Sequence, residues 1–394
     1  EFRRVLFRSF DTTEQYLLAA TGILLAVQAL YYLALYNRIH LRSRKAGRDD
    51  LHFTQELPPL SVIICAHEEV ENLRRNLPAI LKQDYPQFEV IVINDGEKSE
   101  SEDYLTQLEN RYSNLYHSFV PDSSRYISRK KLAVTLGIRA ARYDWLVMTE
   151  ANCCPQSNQW LRLMARNFTS RTEVVLGYSG YERGRNWLHR RAAFDNLFTA
   201  MRYLGFALAG SPYMGIGRNL AYRKSLFFDQ KGFSAHLNLR RGDDDLFVNQ
   251  VARRDNTRVE TDPAAVVRMQ PLLRTKDWRE EKIGYASTAR LYHGAQRWIL
   301  GFETFSRLLF YAAWVATVAL AALHAHWMAA GIGFLLFALR FTMQALVINI
   351  TAKDLDEKYR HYLLLPIFDI LQPLQSLRWK LYCLFRDKRE FLRK

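Results

Sequence analysis

The sequence is poor in cysteine: Cys65, Cys153, Cys154 and Cys383 are the four in 394 residues. None forms a CxxC pair or a Cys/His cluster at zinc-ligand spacing, so zinc ribbons and disulfide-stapled scaffolds are excluded, and a reducing compartment fits. Internal repeats and low-complexity tracts are also lacking. Acidic residues are in deficit, 40 against 55 Lys and Arg, which gives a net charge of +15. Such an excess admits nucleic acid, anionic lipid or an anionic small molecule as partner and does not choose among them. Charge is missing altogether from long stretches near both ends, and that unevenness is the first informative feature.

The first nine residues, Glu1 to Ser9, have neither a cap signal nor a clear period. They read as a translated cloning scar, so residues 1–12 are set outside the fold and the native N-terminus is expected to be missing. Tyr16 to Tyr36 then runs 21 residues without a formal charge. At 1.5 Å per residue that is about 30 Å of helix, the thickness of a bilayer's hydrocarbon layer, and tyrosines gather at its end. A transmembrane helix is predicted over 13–37. A signal peptide would have a shorter apolar core and a small-residue cleavage site; here Arg38, Arg42, Arg44, Lys45 and Arg48 follow instead. By the positive-inside rule that side is cytoplasmic.

Leu308 to Leu323 and Met328 to Ile350 are two further apolar blocks, joined by His324-Ala325-His326-Trp327. They predict a transmembrane hairpin over 304–351 with basic flanks again inside, although a soluble helix pair is the alternative. Arg340 falls within the second block, where it must face a partner or water. From 357 to 394, apolar clusters broken by Pro366, Asp369 and Pro373 and interleaved with Arg and Lys read as an interfacial amphipathic segment with a basic tail.

The middle, 50–295, alternates short β-branched runs with helical spacing. Leu60 to Cys65, Phe88 to Ile93 and Trp145 to Thr149 read as buried parallel strands, and Glu69 to Lys82 and Lys131 to Ala141 as helices between them. That order predicts a doubly wound α/β sheet with its site at the carboxyl ends of the strands. Polar residues follow each strand directly: Cys65-Ala66-His67-Glu68-Glu69, Asn94-Asp95-Gly96, and Glu150-Ala151-Asn152. Alone, each is equally an ordinary turn or helix cap.

In order and at this spacing, with Lys130 and Lys131 opening the second helix and Gly242-Asp243-Asp244-Asp245 further on, they resemble the membrane-anchored family 2 glycosyltransferases. These have the GT-A fold and include cellulose and hyaluronan synthases. The resemblance covers roughly 58–295. It implies a nucleotide-sugar site at Ala66, Glu68, Asp95, Lys130 and Lys131, with Asp95 accepting the N3–H of a uracil and a lysine holding the diphosphate. It implies a divalent cation, Mg²⁺ or Mn²⁺, at Glu150 and Asn152, and Asp244 with Asp243 as the base that deprotonates the acceptor hydroxyl. Gly217, Arg218 and Asn219, with Glu281, Lys282 and Tyr285, would form the sugar side. Mutual repulsion among Asp243, Asp244 and Asp245 should raise at least one pKa; a solvated acidic turn is the alternative.

Two departures qualify the resemblance. Glu150 and Asn152 stand where the family has two aspartates, which weakens the hold on a hard cation. The family's Gln-x-x-Arg-Trp element has no counterpart in register near Glu281 to Tyr285, which argues against processive polymer synthesis. The expectation is an inverting, non-processive transferase, favouring a UDP-sugar, at the cytoplasmic face of a bacterial inner membrane. Its partners would be the donor, a lipid-linked or glycan acceptor and membrane lipid, without nucleic acid; oligomeric state stays open. The alternative is a pseudoenzyme serving as an assembly subunit.

Overall fold

A computed structural model describes residues 11–67, 69–95, 100–121, 128–272 and 274–385. The chain opens with α1 (Thr12–Leu30), which runs through a π-helical turn (Tyr31–Tyr36) into α2 (Arg38–Ala46). Then come β1 (Leu60–Ala66), α3 (Val70–Leu81), β2 (Phe88–Asn94), α4 (Glu100–Arg111), β3 (Leu115–Phe119), α5 (Arg129–Ala140) and β4 (Trp145–Glu150). Next are β5 (Cys153–Pro155), α6 (Trp160–Ala165), β6 (Val174–Leu176), β7 (Ser179–Tyr181), α7 (Trp187–Leu208), β8 (Leu220–Arg223) and α8 (Lys224–Asp229). The domain closes with α9 (Asp245–Val251), β9 (Thr257–Val259), β10 (Val267–Met269) and α10 (Thr275–Thr288). Three long helices follow: α11 (Gln296–Leu323), α12 (Trp327–Asp354) and α13 (Leu365–Phe385).

The expected α/β domain is present. Its main sheet has seven strands in the order β3-β2-β1-β4-β8-β6-β9, and β1 to β4 are parallel. Side chains alternate along each central strand: Ile63, Ile91 and Ile93 enter one core layer, while Val62, Ile64, Val90 and Val92 enter the other. This is why the strands read as unbroken apolar runs. Helix α5 lies hard on β1 and β2, since a Cβ at Gly137 would come within 2.7 Å of Ile63 Cγ2. Strand order reverses beside β1, whose neighbours are β2 and β4, so a crevice opens at the carboxyl ends of these strands. The sheet departs from a purely parallel plan: β8 runs antiparallel to β4 and β6, and a second sheet, β5-β10-β7, packs beside it. The chain enters β8 from the long α7 and a loop, not by a simple strand-helix-strand crossover, so its direction is reversed.

Three helical stretches are long and apolar enough to cross a membrane: Thr12–Ala46, Gln296–Leu323 and Trp327–Asp354. They pack together, yet Ile23, Leu30, Leu33, Val315, Leu335 and Leu339 remain exposed. Such an apolar girdle suits lipid and marks the protein as membrane-associated. Interhelical polar contacts bind the bundle: Gln28 Nε2 donates to Ser306 Oγ at 2.9 Å and Gln344 Nε2 to Tyr32 Oη at 2.9 Å. Arg340 does face a partner. Its Nη2 donates to Asp369 Oδ2 at 2.7 Å, and Arg307 Nη1 reaches Asp369 Oδ1 at 3.1 Å. Asp369, the residue that interrupts the apolar pattern of α13, is therefore the buried counter-ion of two arginines, and it fastens α13 to the bundle.

Candidate active site

Each strand end delivers its polar residues to the crevice. After β2, Asp95 is buried and its Oδ1 accepts from Arg129 Nε at 2.5 Å; His67, after β1, bonds the Asp95 carbonyl through Nδ1. Glu68 and Gly96 lie outside the described residues. Ala66 accepts from the Asp95 amide at 2.7 Å, which pins the two strand ends together.

Helix α5 places its two lysines differently. Lys130 Nζ points into the crevice, 2.7 Å from Glu150 Oε1 and 3.1 Å from Asp243 Oδ2. Burial alone would depress the ammonium's pKa, but Asp243, Glu150 and Asp244 outweigh it and hold the pKa well above the ordinary value. Lys131 points away: its Nζ donates to the carbonyls of His236 at 2.6 Å and Leu239 at 3.0 Å. Burial lowers its pKa to about 8. Of the two diphosphate candidates, only Lys130 faces the site; Lys131 holds the loop that leads to the acidic triplet.

Gly242, at φ +104°, turns the chain into the positive-φ region just before that triplet. A side chain there would also meet Leu246 Cδ1 at 2.6 Å. The turn sets Asp244 as N-cap of α9, its Oδ1 accepting from the Asp245 amide at 2.8 Å. Asp244 Oδ2 accepts from the Gly217 amide at 2.9 Å and Tyr285 Oη at 3.0 Å. Burial and then the charge of Asp243 raise the Asp244 pKa, as crowding of the aspartates leads one to expect. Asp245 turns inward, accepting from Tyr292 Oη at 2.7 Å and from Thr288 Oγ1; burial and Asp244 push its pKa up to about 7.

Arg218 crosses the crevice opposite Lys130. Its Nε donates to Glu150 Oε2 at 3.0 Å and its Nη2 lies 2.9 Å from Glu281 Oε1, while buried Nη1 has no protein partner. Glu281 and Tyr285 are one turn apart on α10 and face the same way, and Lys282 pairs with Asp195 at 2.5 Å. Asn219 is a strut: it donates to the Tyr178 and Ala265 carbonyls and accepts from Trp160 Nε1 at 3.0 Å. A cavity of about 20 Å³, roomy enough for roughly one water, lies among Cys65, Lys130, Glu150, Asp243 and Asp244.

Both Glu150 oxygens are thus engaged by cationic side chains. Although burial opposes it, Lys130 and Arg218 hold the Glu150 pKa well below the carboxylate range. Asn152 adds only an amide oxygen, which accepts from Cys153 Sγ at 3.1 Å. As a metal site this is one already-paired carboxylate and a neutral ligand, a weak fit for a divalent cation unless a bound ligand supplies further anionic oxygens.

Sequence reasoning missed Arg129 on Asp95, the Lys282–Asp195 pair and the full reach of Arg218. Of these, only Arg129, next to the two lysines on a helix's first turn, left a local signal.

A mainly parallel sheet with an antiparallel insertion, a carboxylate-rich crevice at its strand ends and an appended bundle of apolar helices define a membrane-associated α/β fold with a ligand crevice. The model for glycosyl transferase family 2 matches residues 61–229, so this stretch is similar to the glycosyltransferase domain of that family. Asp243 to Asp245 and α10 lie beyond the matched stretch. Glycosyltransferase AglE of Haloferax volcanii is 30% identical over 112 residues, 27% of this chain and 34% of that protein, so the match spans about a third of the relative's length. Among solved structures, mannosyltransferase PcManGT from Pyrobaculum calidifontis, in complex with GDP-Man and Mn²⁺, aligns over 88% of this chain and 99% of its own. Its TM-score is 0.55 at 18% identity, a likeness of fold. S. aureus TarS 1–349, in complex with UDP-GlcNAc, aligns over 76% of this chain and 88% of its own at 14% identity and TM-score 0.41.

Proposed function

We propose that the chain is an inverting, non-processive glycosyltransferase that moves a sugar from a nucleotide-sugar donor to a membrane-linked or glycan acceptor at the cytoplasmic face of the cell membrane. One observation carries the reading: the buried Asp244 carboxylate, fixed by three hydrogen bonds, stands beside Lys130 and Arg218, the two cations that bracket Glu150. Asp244 would take the proton of the acceptor hydroxyl as that oxygen attacks the anomeric carbon. The bond to the diphosphate breaks in the same displacement, which inverts the centre. Lys130 would turn from Glu150 to the diphosphate, and the unpartnered Nη1 of Arg218 offers a further donor. Glu150 and Asn152 are the residues that would share a divalent cation, Mg²⁺ or Mn²⁺, with the donor; when bound, it supplies charge to the leaving diphosphate.

The lean to uridine rests on Asp95, whose carboxylate is bonded by Arg129. A donor screen on membranes holding the full chain, scored by nucleotide release, should therefore include GDP-mannose beside the UDP-sugars. Asp244→Asn should abolish transfer, a loss of at least about 10²-fold, while nucleotide binding persists. Equal turnover in that variant would remove Asp244 from its role. The second reading, a pseudoenzyme subunit, draws on the paired state of Glu150 and would be favoured by nucleotide binding without turnover on any donor.

A further inference from the structure

At the end of the helical bundle remote from the catalytic domain, three residues far apart in sequence come together. Helix α1 begins there, and the turn between α11 and α12 lies beside it. Glu14 Oε1 is 3.0 Å from His324 Nδ1, and Glu14 Oε2 is 2.7 Å from His326 Nδ1. The three ligand atoms lie within 4.8 Å of one another, the one such His/Cys/Asp/Glu grouping among the described residues. We propose that Glu14, His324 and His326 form a binding site for a transition-metal dication of the zinc class, which staples the first helix to the hairpin on the face opposite the active site.

The chemistry fits. Two imidazole nitrogens and one carboxylate oxygen are an established three-ligand set for Zn²⁺, with a fourth position left to water. Bonds of about 2.0–2.1 Å in a tetrahedron set neighbouring ligand atoms about 3.3 Å apart. The observed 3.0 and 2.7 Å, each to a different oxygen of Glu14, need to open by about 0.3 and 0.6 Å, a shift within reach of side-chain rotation.

The local fold is shaped for this cluster. Ala325, between the histidines, sits at φ +56°, a left-handed conformation that a non-glycine residue adopts at a cost. It closes the turn, with the His326 amide donating to the Ala321 carbonyl at 2.7 Å, and both imidazoles fall on the side facing α1. Ala321, Ala329 and Ala330, packed with Leu18, are small enough to let the helix ends converge. Glu14 has no exposed surface; its carboxylate accepts from the Asp11 amide at 3.3 Å at the start of α1 and turns both oxygens to the two imidazoles. The His324 side chain is 46% exposed, so an ion can reach the cluster.

The test uses the full chain in detergent, without a polyhistidine tag, stripped by chelation and dialysed against Zn²⁺. About one Zn²⁺ per chain should remain, and Co²⁺ in its place should give the visible band of a tetrahedral N/O site. Glu14→Gln and His326→Ala should each weaken binding at least about tenfold. His324→Ala, at an exposed position that the fold does not need, should do the same. Glu150→Gln, at the other end of the molecule, should leave this binding intact. Absence of Zn²⁺ at high micromolar concentration, or unchanged binding in the three cluster variants, would overturn the proposal and leave a hydrogen-bonded His–Glu–His contact only.

Discussion

Tyr285→Phe isolates the electrostatics of the proposed base. Tyr285 Oη donates to Asp244 Oδ2 at 3.0 Å, and Arg241 lies over its ring, 6.0 Å from the centroid. The substitution removes one hydrogen bond and keeps the ring, and Oδ2 still has the Gly217 amide at 2.9 Å. A hydrogen bond to an ionised group contributes roughly 1.5–3 kcal/mol, and one pKa unit corresponds to about 1.4 kcal/mol. Because this bond favours the carboxylate over the acid, its loss should raise the Asp244 pKa by about 1 to 2 units, on top of the rise that burial and Asp243 already cause. A base works only when ionised, so activity falls as pH drops through that pKa. The acidic limb of kcat/KM for nucleotide release should therefore move up by the same amount, with donor affinity little changed. A limb that stays in place, or moves down, would refute the argument that Asp244 governs it.

Lys131→Met should leave the diphosphate contact in place but loosen the loop from His236 to Gly242, read as faster proteolysis after Arg240 or Arg241; Lys130→Met should weaken donor binding without that change. Asp369→Ala leaves Arg307 and Arg340 buried without their counter-ion, a loss of about 3–5 kcal/mol, and should lower the melting temperature in detergent by about 5 °C or more. For Asp245, the folded pKa of about 7 lies above the ordinary 3.8. The folded state thus binds the proton more tightly, and stability is fullest below the ordinary carboxylate range and is lost as pH rises through about 7. Melting scans from acidic to alkaline pH should show that decline in the wild type and a flatter profile in Asp245→Asn.

Strands β1, β2 and β4 and helices α3 and α5 were legible because buried parallel strands are continuous apolar runs and the intervening helices keep their period; α4 and the half-exposed edge strand β3, Leu115–Phe119, were not anticipated. The observed β1, β2 and β4 each extend one residue past the expected end, and those residues, Ala66, Asn94 and Glu150, bring the polar ends together. The small sheet β5-β10-β7 was not legible, since its three-residue strands are too short to show a period. Nor could spacing separate Lys130 from Lys131: adjacent helical residues diverge by about 100°, and which one faces the site depends on where α5 sits on β1. The pairing of Arg340 with Asp369 was invisible for a similar reason, because 29 residues and a change of helix separate them.

The route from the long apolar helices to the proposed base is short and built from packed aromatics and ions. Helix α10 carries Trp278, Glu281, Lys282 and Tyr285 at helical spacing. Its first turn is fixed where Trp278 meets Trp379 of α13 edge-on at 5.4 Å. Helix α13 is in turn fastened to the bundle through Asp369, between Arg307 and Arg340. The position of Tyr285, and with it the Asp244 carboxylate that it bonds, is thereby set against the helices that are long and apolar enough to cross a membrane. A transferase using a lipid-linked acceptor needs such a fixed position, because the acceptor hydroxyl arrives at a constant distance from the membrane surface. Separating α13 from the bundle should therefore impair transfer to a membrane-held acceptor more than binding of the soluble nucleotide, and Asp369→Ala offers that comparison within one variant.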